Sequence, residues 1–259
     1  MIPKASLFSL SLFILTNTLI PVQAFTYANW CEATACHPVI AVGGGASSAI
    51  NVGESHDFPI HNHLTEEFYL YSANDHQKYA DFWDIFAGMQ WNVSPRFQAQ
   101  VGLDYNQAAH FVVEGTFLQG ADAISADTYA YQYDVLTRQL LLEGKLLYTL
   151  SDYFHPYLLA GLGVSSNKAA HYETDVSPFL TFTRMYADNR TTSFGYALGA
   201  GVDVDVFPQI RIGVGYRFAG LGKVSLGDAI IDTTFVGGTL SQSNLSSNQF
   251  LAQLTWMIR

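Results

Sequence analysis

Large apolar residues stand at every second position along much of the chain. In FWDIFAGMQWNV, residues 82–93, every odd position is apolar, and Asp84 and Gln90 stand among the even positions. RFQAQVGLDYN, residues 96–106, repeats the pattern with Asp104 on its polar face. A period of two is typical of a strand with one apolar face, so both stretches are predicted to be β-strands.

Eight segments of this kind follow one another along the chain. Their connections alternate between tight turns and long polar stretches. This arrangement predicts an all-β fold, an eight-stranded antiparallel up-and-down transmembrane β-barrel. The strands lie within 38–47, 82–93, 96–106, 138–150, 157–166, 193–206, 210–218 and 248–259. The tight turns lie near Ser94-Pro95, Ser151-Asp152 and Phe207-Pro208, and the long connections span about 50–78, 107–131, 167–190 and 221–247.

Alternation alone leaves open which face points into the barrel. A soluble ligand-carrying barrel is apolar inside, whereas an outer-membrane barrel is apolar outside. Eight strands enclose a lumen barely wide enough for side chains, so the bulky apolar faces are predicted to point outward. Aromatic residues near both ends of these faces predict two girdles at the membrane–water interfaces. They are Trp91, Phe97, Tyr148 and Trp256 toward the tight turns, and Tyr79, Tyr105, Tyr196, Tyr216 and Phe218 toward the long connections.

Composition agrees with a membrane setting. The chain is 49% hydrophobic and only 13% charged, against about 25% charged in a typical soluble domain. No apolar run reaches the ~20 residues of a spanning helix, so the apolar character is spread over strands. Backbone polar groups in hydrocarbon must all be paired, so the opening strand is predicted to pair with the last one.

The first 24 residues have the features of a secretory signal peptide, with a membrane anchor as the alternative. Lys4 precedes an apolar stretch, and PVQA places small residues before a cleavage site at Ala24. Residues 1–24 are therefore predicted to be removed, 25–37 to form a short periplasmic segment and 38–259 to form the barrel. Removal of Lys4 leaves 12 − 1 = 11 basic residues against 22 acidic residues, a net charge of −11. This charge argues against a nucleic-acid partner.

Several strand motifs carry a family resemblance. YLLAGLGVS, FGYALGAGVDVDV, FPQIRIGVGYRF and the aromatic-alternating last strand resemble the OmpA/OmpX-like, opacity-type outer-membrane β-barrels of Gram-negative bacteria, in the porin superfamily. The resemblance implies a cell outer-membrane protein with periplasmic termini, in contact with membrane lipid, lipopolysaccharide and the barrel-assembly machinery. The family's assembly signal usually ends on an aromatic residue, whereas this sequence closes with Ile258 and Arg259.

Charged residues on the inward faces predict a polar network in the lumen, because buried charges need partners. A turn centred on Pro208 sets Asp205 opposite Arg211, and these two side chains are predicted to form a salt bridge. The predicted network consists of Asp84, Asp104, Glu143, Lys145, Asp205, Arg211 and Arg217.

The two cysteines, Cys31 and Cys36, are predicted to form a small local disulfide, because an exported chain meets an oxidising compartment. A haem attachment, a free thiol pair and a metal site are the alternatives.

The connection 50–78 contains residues of the types that bind metal ions or take part in catalysis. Its histidines and neighbouring carboxylates are ligand types for Zn²⁺ or Cu²⁺, although a solvated loop is the favoured interpretation. Its Ser, His and Asp residues are also the types used by a lipid A palmitoyltransferase, while the His-x-Ser-Asn motif of a deacylase is absent. The residues concerned are Ser55, His56, His61, His63 and His76 with Glu54, Asp57, Glu66 and Glu67.

No enzyme activity, metal or cofactor is predicted as the main role. The sequence favours a structural or surface-interaction role, such as adhesion or host contact, in which long extracellular loops meet a host or surface ligand. The alternatives are a narrow channel for small solutes and a barrel enzyme that modifies lipid A.

Overall fold

All of the regular structure in the computed structural model is β-strand, over the residues that it describes. These are 36–50, 52, 54–61, 66–74, 78–108, 110–120, 126–176, 183–231 and 234–258. The predicted signal peptide and Cys31 lie outside them. The strands are β1 (His37–Ile50), β2 (His56–His61), β3 (Glu66–Ala73), β4 (Lys78–Ser94), β5 (Phe97–Ala108), β6 (Phe111–Gly120), β7 (Asp127–Tyr148), β8 (Phe154–Thr174), β9 (Met185–Tyr186), β10 (Asn189–Phe207), β11 (Ile210–Ser225), β12 (Ala229–Ile231), β13 (Thr234–Val236) and β14 (Ser241–Met257). Within these ranges no helix is long and apolar enough to cross a membrane.

Eight of the strands close into a ring. The order is β1, β4, β5, β7, β8, β10, β11 and β14, and every neighbouring pair is antiparallel. The ring closes between β1 and β14, from Val39 opposite Met257 to Ile50 opposite Ser246. The predicted eight-stranded barrel and its pairing of first and last strands are therefore confirmed.

The long connections contain more β-structure than predicted. Gln107 of β5 pairs with Arg138 of β7, and Phe111 of β6 pairs with Val135, so β6 continues along β7 close to where β5 ends. In the same way, β2 and β3 continue the hairpin of β1 and β4. The predicted strand ends are wrong here, because backbone pairing continues beyond the membrane.

The side chains of β7 mark where the barrel leaves the membrane. Its odd-numbered residues point inward along its length. They change from apolar at the start of the strand to polar and charged further on, and the outward residues change in the opposite sense. The inward residues are Tyr131, Tyr133, Val135, Thr137, Gln139, Leu141, Glu143 and Lys145. The outward residues are Gln132, Asp134, Leu136, Arg138, Leu140, Leu142 and Leu146. The reversal lies near Thr137, since an apolar exterior faces lipid and an apolar interior faces away from water.

The lipid-facing band carries aromatic pairs at both of its ends. Phe97 and Tyr148 lie 5.2 Å apart between ring centroids near the tight turns. Toward the long connections, Trp83 lies 5.4 Å from Tyr105, and Tyr216 lies 5.4 Å from Phe250. Such rings suit the interfaces between hydrocarbon and water.

Beyond the reversal, the barrel continues as a structure that we call the distal cap. It consists of β2, β3, β6, β9, β12 and β13 with the adjoining ends of β7, β8, β11 and β14. Its core is apolar and rich in tyrosine: Ala49, Val52, Tyr69, Tyr71, Phe111, Val113, Phe117, Tyr131, Tyr133, Val135, Ala169, Tyr172, Tyr186, Ala219, Leu221, Val224, Leu226, Ala229, Leu240 and Leu245. Within it, β9, β12 and β13 form a small sheet, the lid sheet, built from two different connections.

Candidate functional site: the barrel interior and its cap

Arg211 organises the polar side chains at the tight-turn end of the lumen. Its guanidinium forms an ion pair with Asp205, the residue opposite it across the turn. Its Nη2 donates a hydrogen bond to Gln98 Oε1 at 3.2 Å. His155 Nε2 lies 3.0 Å from Asp205 Oδ2. The salt bridge predicted between Asp205 and Arg211 is therefore confirmed.

Lys145 continues the network toward the middle of the membrane. Its Nζ donates to Asp203 Oδ2 at 2.8 Å and to Gln253 Oε1 at 3.2 Å. The same ammonium lies 3.8 Å from the centre of the Tyr157 ring, a cation–π contact. Both members of the Lys145–Asp203 pair are almost completely buried.

Arg217 stands nearer the distal cap, among several carboxylates. Its Nη1 donates to Asp104 Oδ2 at 3.1 Å and lies 3.8 Å from Glu143 Oε2. Its Nε donates to Gln249 Oε1 at 2.7 Å. Asp84 is 1% exposed, and its Oδ1 has no hydrogen-bond partner among the described residues. The positive charge of Arg217 thus offsets part of the negative charge of these carboxylates.

Glycines make room for two of these carboxylates. Gly43 is paired with Asp84 and Gly213 with Asp203. At either glycine, an added Cβ would lie 2.3 Å from a carboxylate oxygen. The absence of a side chain at Gly43 therefore lets a charged group lie against the barrel wall.

The structure places all seven residues of the predicted network inside the lumen. Asp205 and Arg211 meet at the turn end, whereas Asp104, Glu143 and Arg217 meet nearer the cap. Lys145 belongs to neither of these two groups. Its carboxylate partner is Asp203, which is not one of the seven predicted residues.

Asp203 and His155 also belong to the network, although they are not among the residues that the sequence predicted for it. Asp203 carried a usable signal, because it shares the inward face of its strand with Asp205. His155 lies next to a tight turn, and nothing in its neighbours indicates that β8 begins at Phe154 and turns this ring inward.

The interior of the distal cap is closed by packed tyrosines. Tyr71 contacts Phe117 at 4.9 Å and Tyr131 at 5.3 Å between ring centroids. Tyr172 and Tyr186 pack edge to face at 4.9 Å. Burial raises the pKa of Tyr71, Tyr131 and Tyr172. Burial also raises the pKa of Tyr133 to about 12, partly opposed by the hydrogen bond from Gln242.

Arg184 fastens three connections of the cap to one another. Its guanidinium lies over the Phe58 ring at 4.3 Å, and its Nη2 donates to the Gly237 carbonyl at 2.7 Å. Its Nη1 reaches Tyr186 Oη at 3.4 Å. One buried cation therefore holds parts of the first, third and fourth long connections together.

Side chains also join β2 to β14, which are not paired through their backbones. His56 Nε2 lies 2.7 Å from the Ser241 carbonyl oxygen. Glu54 accepts hydrogen bonds from the Ser243 amide at 2.6 Å and from its hydroxyl at 3.1 Å. His56 thus helps to hold β2 and β14 together in the cap.

The metal hypothesis for residues 50–78 is only partly within the described structure. His63 and His76 lie outside it, as do the side chains of His61, Glu66 and Glu67. Among the described residues, no three His, Cys, Asp or Glu side chains form a group that could hold a metal ion. Cys31 is not described either, so the Cys31–Cys36 disulfide stays a prediction.

The closed antiparallel ring, the lipid-facing exterior and the polar interior define an integral β-barrel of an outer membrane, surrounded by its lipid. The family model for the outer membrane protein beta-barrel domain matches residues 38–257. The chain belongs to this family.

Solved structures of the same kind have low sequence identity to this chain. Neisserial surface protein A (NspA) is 14% identical, covering 85% of this chain and 96% of that chain, with a TM-score of 0.42. Ail of Yersinia pestis is 11% identical over 86% and 98% of the two chains, with a TM-score of 0.36. OprG of Pseudomonas aeruginosa is 11% identical over 85% and 96%, with a TM-score of 0.42. At these identities the likeness concerns the fold alone. No curated protein sequence matches the chain.

Proposed function

We propose that the protein is a non-enzymatic surface-interaction barrel. Its termini lie in the periplasm, and its distal cap faces the cell exterior and contacts a host cell or another external surface. The observation that carries this proposal is the filled interior: charged side chains occupy the membrane part, and packed tyrosines occupy the cap. A barrel filled in this way leaves its exposed outer surface as the part available to partners.

The outer surface of the cap supports a contact role by its shape and charge. A groove of about 480 Å³ lies across β6, β7 and β8, with Glu114, Glu173 and Asp175 among its lining residues. The Asp175 carboxylate accepts a hydrogen bond from the Ala130 amide at 2.6 Å, and Glu173 accepts one from Gln132 at 2.9 Å. These contacts hold acidic groups in fixed positions, which favours a selective surface.

Orientation is tested by a short epitope placed in the β12–β13 connection at positions 232–233. An antibody added to intact cells is expected to bind it, because β12 and β13 belong to the cap. Binding only after the outer membrane is opened would reverse the proposed topology.

Attachment is tested by expressing the protein in a bacterium that does not adhere to cultured epithelial cells. We expect expression to raise attachment, and reversal of the groove charges, by Glu114→Lys with Glu173→Lys, to lower it. Asp152→Lys, at the exposed tight turn on the opposite end, is the matched control. Equal attachment with and without the protein, on epithelial cells and on immobilised matrix proteins, would refute the contact role.

A further inference from the structure

The lid sheet carries an apolar row on the face that points away from the cap core. Ile230 pairs with Phe235 on one side and with Met185 on the other, so three large apolar side chains lie in line across three strands. The next residues, Tyr186 and Ala229, point the opposite way and are buried in the core. Phe235 is 73% exposed and Met185 is 48% exposed.

The row lies apart from the lipid-facing band. The tyrosine core of the cap separates the lid sheet from the membrane part of the barrel, so the lipid around this barrel does not explain it. Single exposed apolar residues are common on protein surfaces. Aligned large residues at the water-facing end of a protein instead mark an interaction surface.

One edge of the lid sheet lies beside this row, and no strand of the described residues covers it. β13 pairs with β12, and no other described strand pairs with it. Phe235, the most exposed member of the row, lies on this edge strand. An extended polypeptide can add a strand to such an edge through backbone hydrogen bonds, while alternate side chains contact the neighbouring apolar row.

The charge around the row favours one kind of occupant. Asp188 and Asp228 are exposed where β9 and β12 meet. Across the described cap, acidic side chains outnumber basic ones: Glu54, Asp57, Glu114, Asp127, Asp134, Glu173, Asp175, Asp188 and Asp228 against Arg138, Lys168, Arg184, Arg190 and Lys223. A second copy of the chain would bring like charges together, whereas a basic segment is complementary.

We propose that the lid sheet binds an extended polypeptide in which apolar residues alternate with Lys or Arg, by strand addition to β13. The apolar residues of this segment lie beside Phe235, and its basic residues face the acidic surroundings. This inference rests on the proposed contact function and names the class of partner.

The test uses the full-length protein in lipid nanodiscs and a set of labelled ten-residue peptides. In these peptides Val, Leu or Phe alternates with Lys, and in the comparison sets Val alternates with Glu or Ser alternates with Lys. We expect at least one apolar–Lys peptide to bind in a fluorescence anisotropy titration, and hydrogen exchange at the Phe235 amide to slow on binding. The comparison sets are expected to bind at least tenfold more weakly.

Three variants locate the site. Phe235→Ser is expected to weaken peptide binding at least tenfold, and Phe235→Leu is expected to restore most of it. Leu70→Ser removes an exposed apolar side chain from β3, outside the lid sheet, and is expected to leave binding unchanged. The inference is overturned if no apolar–Lys peptide binds, if Phe235→Ser binds normally, or if protein-free lipid vesicles or a second copy of the chain occupy the row instead. If cells still attach through the cap while Phe235→Ser has no effect on attachment or peptide binding, the contact function stands and this inference falls.

Discussion

Arg217 lies at the place in the lumen where carboxylates are most concentrated. Asp104 and Glu143 both approach its guanidinium, and Asp84 lies within its electrostatic reach. Arg217→Met is expected to lower the free energy of unfolding by about 3–5 kcal/mol, since removal of one partner leaves buried charge uncompensated. Urea unfolding in lipid vesicles, followed by tryptophan fluorescence, measures the change.

The matched control for this variant is Arg190→Met, which removes an exposed guanidinium. A surface arginine is worth at most about 1 kcal/mol, so this control is expected to unfold almost as the native chain does. If the two variants were equally stable, the burial of the carboxylates around Arg217 would not require its positive charge. Adding Asp104→Asn to Arg217→Met is expected to recover part of the loss.

The buried tyrosines of the cap predict sensitivity to alkali. Unfolded tyrosine ionises near pH 10, whereas burial raises the pKa of Tyr133 to about 12. A pKa raised by folding stabilises the fold fully below about pH 10, and the contribution is lost as the pH rises through about 12. The free energy of unfolding is therefore expected to fall over this interval, and Tyr133→Phe is expected to reduce the fall.

Ultraviolet absorbance of tyrosinate measures the same ionisation directly. The cap tyrosines are expected to ionise only as the cap opens. Ionisation of all tyrosines in one step near pH 10, with the cap intact, would contradict the raised pKa of Tyr133.

Single-residue contacts were predictable where a tight turn fixed the register. The Phe207-Pro208 turn sets Asp205 opposite Arg211, and the contact follows from strand geometry alone. No such local constraint joins Arg217 to Asp104, which lie 113 positions apart along the chain. Their meeting depends on ring closure and on the length of each side chain, and the sequence pattern carries neither.

At the level of strands, alternation predicted the membrane part well and the cap poorly. The upper part of β7, with Tyr131 and Tyr133, has the same period of two as the rest of the strand. Its polarity is reversed, because the exterior there meets water instead of lipid. The sequence pattern therefore predicted a strand only from 138 onward and a long connection over about 107–131, because the apolar face of the upper part of β7 points inward.

The reversal within β7 predicts that the cap and the membrane part open separately. Tyr131→Ala is expected to cost the cap about 3–5 kcal/mol, the range for removing a large aromatic side chain from a core. Hydrogen exchange is expected to rise in β3, β6 and the first half of β7, while the membrane halves of β7 and β8 stay protected. Tyr79→Ala, which removes an exposed ring, is the control.

Exchange that rises equally in the cap and in the membrane halves would mean that the two parts unfold as one unit. Arg184→Met supplies a second variant, because it releases the contacts with Phe58, Gly237 and the Tyr186 hydroxyl while every tyrosine of the core is kept. It is expected to raise exchange in the lid sheet first.

Viewed as a whole, the molecule contains two barriers in series along the barrel axis. The ion-paired network fills the membrane part, and the tyrosine core fills the cap. An eight-stranded lumen is narrow enough for side chains to fill it. A steady path for ions would have to cross both barriers, so the filled interior argues against the channel alternative.

The native protein in planar lipid bilayers is therefore expected to pass no steady ion current. The lid sheet offers a direct way to separate the two barriers: residues 226–240 are replaced by a short Gly-Ser linker. This variant removes the lid sheet from the cap. It is also expected to pass no steady ion current, because the contacts of Arg217, Lys145 and Arg211 lie below the cap. Steady current through the native protein would favour a channel. Current through the linker variant alone would show that the cap is the only barrier and that ions pass the lumen network.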